Sequence, residues 1–307
     1  MAAIDCGTNT IKLLVAARSG EEGQDELVEL AREMRMVRLG QGVDRTGMLA
    51  EEALARTFAA IDEYAALIRD HGADRIRFVA TSATRDAANA DVFVAGVRER
   101  LGVDPEVVSG REEAALAYAG AVRHLRREPA LPVLVVDVGG GSTELIEGRT
   151  LEGGPAAAHS MDIGSVRLHE RHLRTDPPTA SEVDACVRDI DEHLDGSPVR
   201  VEEATSVIGV AGTVTQLAAG VIGVARYDRA AIDQAELAVG EVHALVERLL
   251  GMRIEQRRAL PWMHPGRADV IGAGGLILSR ILRRARVERL LVSESDILDG
   301  IAWSIAD

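Results

Sequence analysis

The 307-residue chain sets 49 acidic against 35 basic side chains, a net charge of −14, in a composition 47% hydrophobic and 27% charged. These values belong to a folded chain long enough for two domains, and the acidic excess argues against general affinity for nucleic acid or an anionic membrane. Two Trp, three Tyr and three Phe are too few for a base-stacking surface.

The chain starts directly on an apolar run, Ala2 to Cys6, with no basic leader, and no apolar stretch approaches the roughly 20 residues that span a bilayer. A cytoplasmic protein is expected. Cys6 and Cys186 stand far apart with no CxxC or Cys/His cluster, so buried thiols are expected rather than a disulfide or zinc. Strands are predicted at 2–6 and 11–17 around a Gly-Thr-Asn-Thr turn, with a third at 27–38. A helix follows over 50–70, with Leu54, Phe58, Ile61, Ala65 and Ile68 on one face. Next come a strand at 75–80, helices over 84–101 broken near Asn89, a strand at 106–109 and a helix from 111 to about 126. Glu128-Pro129-Ala130-Leu131-Pro132 reads as a linker, giving lobe I at 1–127 and lobe II at 128–307. Lobe II repeats the opening with strands at 133–138 and 143–148 around a glycine turn. Helices at 164–173 and 180–195, a strand at 205–209 and a helix beyond Gly212 follow. Two longer helices, a strand at 289–292 and a closing helix complete it. That closing helix, 296–307, is a candidate to cross back to lobe I. Two halves that each begin β-turn-β and then alternate helices with strands make a duplicated α/β architecture.

The first turn reads Ile4-Asp5-Cys6-Gly7-Thr8-Asn9-Thr10; the second reads Val136-Asp137-Val138-Gly139-Gly140-Gly141-Ser142-Thr143-Glu144. Glycines admit close backbone approach and positive φ, and successive N–H groups form an anion-binding nest. Thr8, Thr10, Ser142 and Thr143 add hydroxyls. Asp5 and Asp137 would repel phosphate unless a hard divalent cation stands between; Mg²⁺, or another such as Mn²⁺, suits carboxylate, phosphate and water ligands. Either turn alone reads equally well as a plain hairpin; two copies opening two similar halves do not.

These paired turns resemble the phosphate loops of the actin, sugar-kinase and heat-shock ATPase superfamily. Ala80-Thr81-Ser82-Ala83-Thr84-Arg85-Asp86-Ala87, Val108-Ser109-Gly110-Arg111-Glu112-Glu113-Ala114 and Asp137–Glu144 are similar to one branch, the exopolyphosphatase/guanosine pentaphosphate phosphatase family. Asp162-Ile163-Gly164-Ser165-Val166-Arg167-Leu168, Gly209-Val210-Ala211-Gly212-Thr213 and Arg267-Ala268-Asp269 with Gly272–Gly275 extend the match along nearly the whole chain. The resemblance implies two ribonuclease-H-like lobes with an active-site cleft between them, a homodimer, and Mg²⁺-dependent removal of terminal phosphate from inorganic polyphosphate or guanosine pentaphosphate. Glu113 then matches the catalytic glutamate that orients or deprotonates water. Asp137 and Glu144 match the acidic pair associated with metal and water, and the chemistry of the first turn places Asp5 with them as a metal holder, directly or through water. Gly7, Thr8, Asn9, Thr10, Gly139, Gly140, Gly141, Ser142, Thr143, Gly212 and Thr213 match phosphate contacts, with Arg85, Arg167, Arg267 and Lys12 offsetting substrate charge. Lys12 replaces an arginine of many members, losing a bidentate fork. The chain lacks the C-terminal helical domain of longer members, which favours short polyphosphate chains.

Two other readings compete: a non-catalytic sensor of polyphosphate or guanosine tetra/pentaphosphate, and an ATP-dependent small-molecule kinase of the same fold. The kinase lacks an insertion to build a sugar-binding lobe, and a sensor gains nothing from three acids facing phosphate. The sequence contains no G-x-x-x-x-G-K-[ST], G-x-S-x-G or H-E-x-x-H pattern.

Overall fold

A computed structural model describes residues 1–19 and 26–306. The chain forms two compact units, Met1–Gly120 with Ile297–Asp307, and Ala121–Asp296. No described helix is long and apolar enough to cross a membrane.

In the first unit, strands β1 (Ala2–Cys6), β2 (Thr10–Ser19) and β3 (Glu26–Met36) are followed by helices α1 (Val43–Thr46) and α2 (Glu51–Asp70). Then come β4 (Ile76–Ala80), α3 (Ser82–Arg85), α4 (Ala90–Leu101), β5 (Glu106–Val107) and α5 (Gly110–Val122), whose last turn reaches the second unit. The sheet order is β3-β2-β1-β4-β5, antiparallel across the first three strands and parallel from β1 to β5. All five residues of β1 are buried, as a central strand covered on both faces requires. Helix α2 buries Leu54, Ile61, Tyr64, Ala65 and Ile68 along one stripe. The Tyr64 hydroxyl donates to Ile11 O at 2.9 Å. The expected break near Asn89 separates α3 from α4, and the Asn89 carboxamide pairs with both backbone groups of Leu49.

The second unit contains β6 (Val133–Val138), β7 (Thr143–Gly148), β8 (Ala157–Met161), α6 (Ser165–His172), α7 (Ala180–Asp195), β9 (Ser206–Val210) and α8 (Ala211–Ile222). It continues through α9 (Arg229–Ile232), β10 (Glu236–Ala238), α10 (Val239–Leu250), α11 (Ile254–Arg258), α12 (Ile271–Ala285) and β11 (Arg289–Val292). Its order, β10-β11-β9-β6-β7-β8, is the first sheet's order with β10 added antiparallel at one edge. Each unit is thus ribonuclease-H-like, and the duplication read from the two turns extends to topology. The closing helix α13 (Ile297–Ala306) belongs to the first unit and packs on β1, β2 and β4.

Strands β8 and β10 are absent from the sequence expectation. Ala157-Ala-His-Ser-Met161 has no branched or aromatic alternation; pairing with β7 makes it a strand. The strand expected at 106–109 ends at Val107, and the helix expected to reach about 126 ends at Val122.

Candidate functional site

In each unit the glycine turn leaves the carboxyl end of the first strand, beside the exit of the parallel strand that neighbours it. The first unit therefore brings Gly7–Thr10 next to Thr81–Arg85, and Thr81 N donates to Cys6 O at 3.2 Å. Gly7 N closes the turn on Thr10 O at 2.9 Å. The Thr8 carbonyl accepts from Gly40 N, and the Asn9 carbonyl from Val37 N and Arg38 N. A trans peptide points its C=O and the following N–H in opposite directions. Tying these carbonyls to residues 37–40 therefore turns the amides of Asn9 and Thr10 the other way. The Asn9 side chain is buried, and among the described residues neither its Oδ1 nor its Nδ2 has a partner. A buried, unsatisfied carboxamide is costly unless a ligand completes it. Thr8 Oγ1 lies 2.9 Å from Ser82 Oγ, and Asp5 pairs across the strands with Lys12 at 3.5 Å.

Glu113 stands in the first turn of α5, its amide bonded to Ser109 O. Its carboxylate accepts from Arg85 Nη1 at 3.1 Å, and the same Arg85 nitrogen donates to Val108 O at 2.8 Å. Thr81, whose amide is bonded to Cys6 O ahead of the first turn, also favours the charged form of Glu113. Burial pushes the Glu113 carboxyl up to about 7; Arg85 and Thr81 oppose the shift and the Asp5 charge adds to it. Arg85, expected to offset substrate charge, is in the first instance the partner of Glu113.

The second unit repeats the construction. Gly139 N closes on Ser142 O at 3.1 Å. The Gly139 carbonyl accepts from Ser165 N, the Gly140 carbonyl from Val166 N and Arg167 N, and the Gly141 carbonyl from Arg167 Nε at 2.8 Å. The amides of Gly140, Gly141 and Ser142 are thereby turned away from α6 and form an anion nest. Arg167, expected at substrate, has its Nε on the loop itself. Thr143 is fully buried and its hydroxyl donates to Ile163 O. The expectation of positive φ fails at Gly7, Gly139, Gly140 and Gly141. Packing requires glycine instead on the neighbouring segment: a Cβ at Gly164 would meet Gly140 C and O at 2.5 Å and Gly141 N at 2.6 Å.

Asp137 and Glu144 are directly opposed across β6 and β7, so their side chains share one face, and both are buried. Ser160 donates to Glu144 Oε1 at 2.8 Å. Like charges so placed repel, which suits a cation among their surroundings. Asp5 lies in the other unit, and among the described residues no group of three or more His, Cys, Asp or Glu is placed to hold a metal.

At the exit of β9, Ala211 has φ +66°, a left-handed conformation rare outside glycine. The Arg267 guanidinium packs on the α carbon of Gly212, leaving no room for a side chain there. Thr213 is buried, and Gly274 of α12 approaches both Thr213 and Ser165. Gly212, Thr213 and Arg267, far apart in sequence, therefore come together. Ser160 carried no signal in the sequence; Thr81 and Gly164–Arg167 lay inside motifs already noted, but the tasks of Thr81 and of the α6 amides were not read there.

Residues 15–307 match the Ppx/GppA phosphatase family. The chain belongs to that family. It is 47% identical to exopolyphosphatase 2 of Mycobacterium tuberculosis, over all of this chain and 98% of that protein. It is 31% identical to a guanosine-5'-triphosphate,3'-diphosphate pyrophosphatase of Vibrio atlanticus, covering 100% of this chain and 59% of that one. The crystal structure of the Aquifex aeolicus Ppx/GppA family member superposes with a TM-score of 0.80 at 30% identity, over 99% of this chain and 96% of that one. Membership makes the chain a phosphatase of the actin-like fold.

Proposed function

We propose that the protein is an exopolyphosphatase, releasing terminal orthophosphate from inorganic polyphosphate by attack of water. The observation that carries this reading is Glu113, buried and paired with Arg85 in the same unit as a glycine turn whose buried Asn9 carboxamide lacks a partner among the described residues. Glu113 takes the proton of the attacking water as its oxygen bonds to the terminal phosphorus; the bridging P–O bond breaks, the attacked phosphorus leaves as orthophosphate, and the bridging oxygen stays on the shortened chain as part of its new terminal phosphate. Arg85 holds the carboxylate in aim. The amides of the first loop and Asn9 take the phosphoryl oxygens, where positioning and charge stabilisation supply most of the catalysis; within the second unit, Arg267 offers its guanidinium to a substrate phosphate. Asp137 and Glu144 would hold Mg²⁺ or Mn²⁺, which when bound would neutralise phosphoanhydride charge. The mycobacterial relative, matched over 98% of its length and named an exopolyphosphatase, supports polyphosphate as substrate.

The Vibrio relative supports a second reading, hydrolysis of guanosine pentaphosphate. Phosphate release from polyphosphates of defined length, measured beside guanosine pentaphosphate with Mg²⁺ or Mn²⁺, decides between them. Polyphosphate should be cut at the higher kcat/KM. Release from the nucleotide alone transfers the assignment, and tight binding without turnover makes the protein a sensor. Glu113→Gln should lower kcat by about 100-fold or more with little change in KM; near-normal turnover removes Glu113 from the chemistry.

A further inference from the structure

Arg267 lies between two buried side chains that fasten the main chain on either side of it. Gln216, in the second turn of α8, is 2% exposed. Its Nε2 donates to Trp262 O, and its Oε1 accepts from His264 N at 2.9 Å. One carboxamide thus pairs with two backbone groups, as a strand partner would. The Trp262 indole lies against Gly220 of the same helix, so residues 262–264 run along α8. His264 Nδ1 then accepts from Gly266 N, and His264 O accepts from Arg267 N at 2.9 Å. On the far side, Arg257 of α11 is 3% exposed. Its guanidinium donates to Ala268 O at 3.0 Å, to Asp269 O at 3.3 Å and twice to Met252 O. A buried arginine whose hydrogen bonds go to main-chain carbonyls is a scaffold device rather than a ligand; its rigid fork fixes several strands of backbone at once.

Arg267 itself is held differently. Its guanidinium rests on Gly212 and, among the described residues, donates no hydrogen bond, although the charges of Glu294 and Asp296 and the Tyr227 hydroxyl act on it from a distance. Five donors without an acceptor, in a half-buried setting, suit an anion arriving from outside. An anion held there also needs the segment that carries Arg267 to be stationary.

We infer that Gln216 and Arg257 are positioning residues that clamp residues 262–269 along α8 and so keep the Arg267 guanidinium over Gly212 for a substrate phosphate. The clamp rests on the proposed function only for the identity of that anion. It assigns a part in phosphate recognition to two residues that touch no substrate, and it explains why α8, which supplies the Gly212-Thr213 turn, also carries Gln216.

The test combines hydrogen exchange with a double-mutant cycle on the full chain. Gln216→Leu removes both bonds of one clamp, and Arg257→Lys keeps the charge of the other while removing its fork. Each should speed amide exchange across 262–269 while exchange in α7 stays at the wild-type level. Unchanged exchange across 262–269 in both variants overturns the clamp, whatever the activity. For phosphate release from polyphosphate, Arg267→Gln should lower kcat/KM roughly 10- to 100-fold, the loss of a charge-assisted contact. Gln216→Leu should lower it roughly 10-fold alone, through KM, and add almost nothing in the Arg267→Gln background, because the two act through one contact. Fully additive losses would overturn the positioning role. Normal kcat/KM in Arg267→Gln would sink the anion assignment instead, leaving the exchange experiment to judge the clamp. Should Gln216→Leu fail to fold, Gln216→Glu keeps an acceptor for His264 N, loses the donor to Trp262 O, and serves the same cycle.

Discussion

Glu113 answers opposing demands. As the proposed base it must be charged to accept a proton from water, yet burial and the neighbouring Asp5 favour the neutral acid and raise the carboxyl to about 7. A base that titrates there is matched to neutral conditions. The kcat/KM for phosphate release should therefore rise with pH through a limb centred near 7, and a limb centred near 4.5 would mean that Glu113 is not the titrating group. Stability has the opposite sign. A carboxyl raised from 4.5 to about 7 on folding favours the native state most below pH 4.5, and that contribution is lost as pH rises through 7. Above pH 7 the folded protein holds a buried charge that Glu113→Gln lacks. The variant should thus melt at or above the wild-type temperature at pH 8 while losing catalysis, and its Tm should vary less between pH 5 and pH 8. A Tm well below wild type at pH 8 would show that the charge itself, not the hydrogen bonds from Arg85 and Thr81, holds the site together.

Between elements, glycines set how closely backbone approaches backbone. Gly164 lets α6 offer three consecutive amides to the carbonyls of the second loop, and a Cβ there meets backbone that has no side chain to swing aside. Gly164→Ala should destabilise the protein by about 1–3 kcal/mol in urea denaturation and weaken substrate binding, since the nest amides share peptide planes with the displaced carbonyls. Gly240→Ala in α10 is the control, because nothing lies within 4 Å of its added methyl. It should be neutral or stabilise by up to about 1 kcal/mol. Equal effects from the two substitutions would remove Gly164 from loop positioning. Both loops were legible in the sequence because the repeat is written in residue types: Asp-x-Gly, small hydroxyls, apolar flanks. The reason for their glycines was not, since it depends on which segment pins the carbonyls, and residues 37–40 and Ser165–Arg167 show no pattern announcing that task. Ser160 was equally hidden; only the register of β8 on β7 sets it opposite Glu144.

Over the whole molecule, duplication holds in strand order but not residue by residue. Asp5 and Asp137 occupy equivalent places, but the residue opposite is Lys12 in one unit and Glu144 in the other. One half thus carries a neutralised carboxylate and the other a pair of acids, so a divalent cation has its stronger claim on the second unit. Chelation should abolish turnover and added Mg²⁺ restore it, with Glu144→Gln raising the Mg²⁺ concentration needed; undiminished activity in excess chelator would remove the metal from the reading. The units differ also in how they are built from the chain. Ala121–Asp296 is continuous, whereas the first unit needs α13 from the far end of the sequence. That helix buries Ile301, Ala302 and Trp303, sets Gly300 against the Leu116 backbone, and bonds Asp299 to Arg32. Arg18 and Arg75 donate to its last carbonyls, Ala306 O and Ile305 O. Without it, one face of β1, β2 and β4 loses its cover. Residues 121–296 expressed alone should therefore unfold cooperatively, while residues 1–120 alone should show exposed apolar surface by dye binding and no sharp melt. Adding 297–307 behind a flexible linker should restore the melt. Cooperative unfolding of 1–120 without that helix would show that α13 is an accessory to the first core and not part of it.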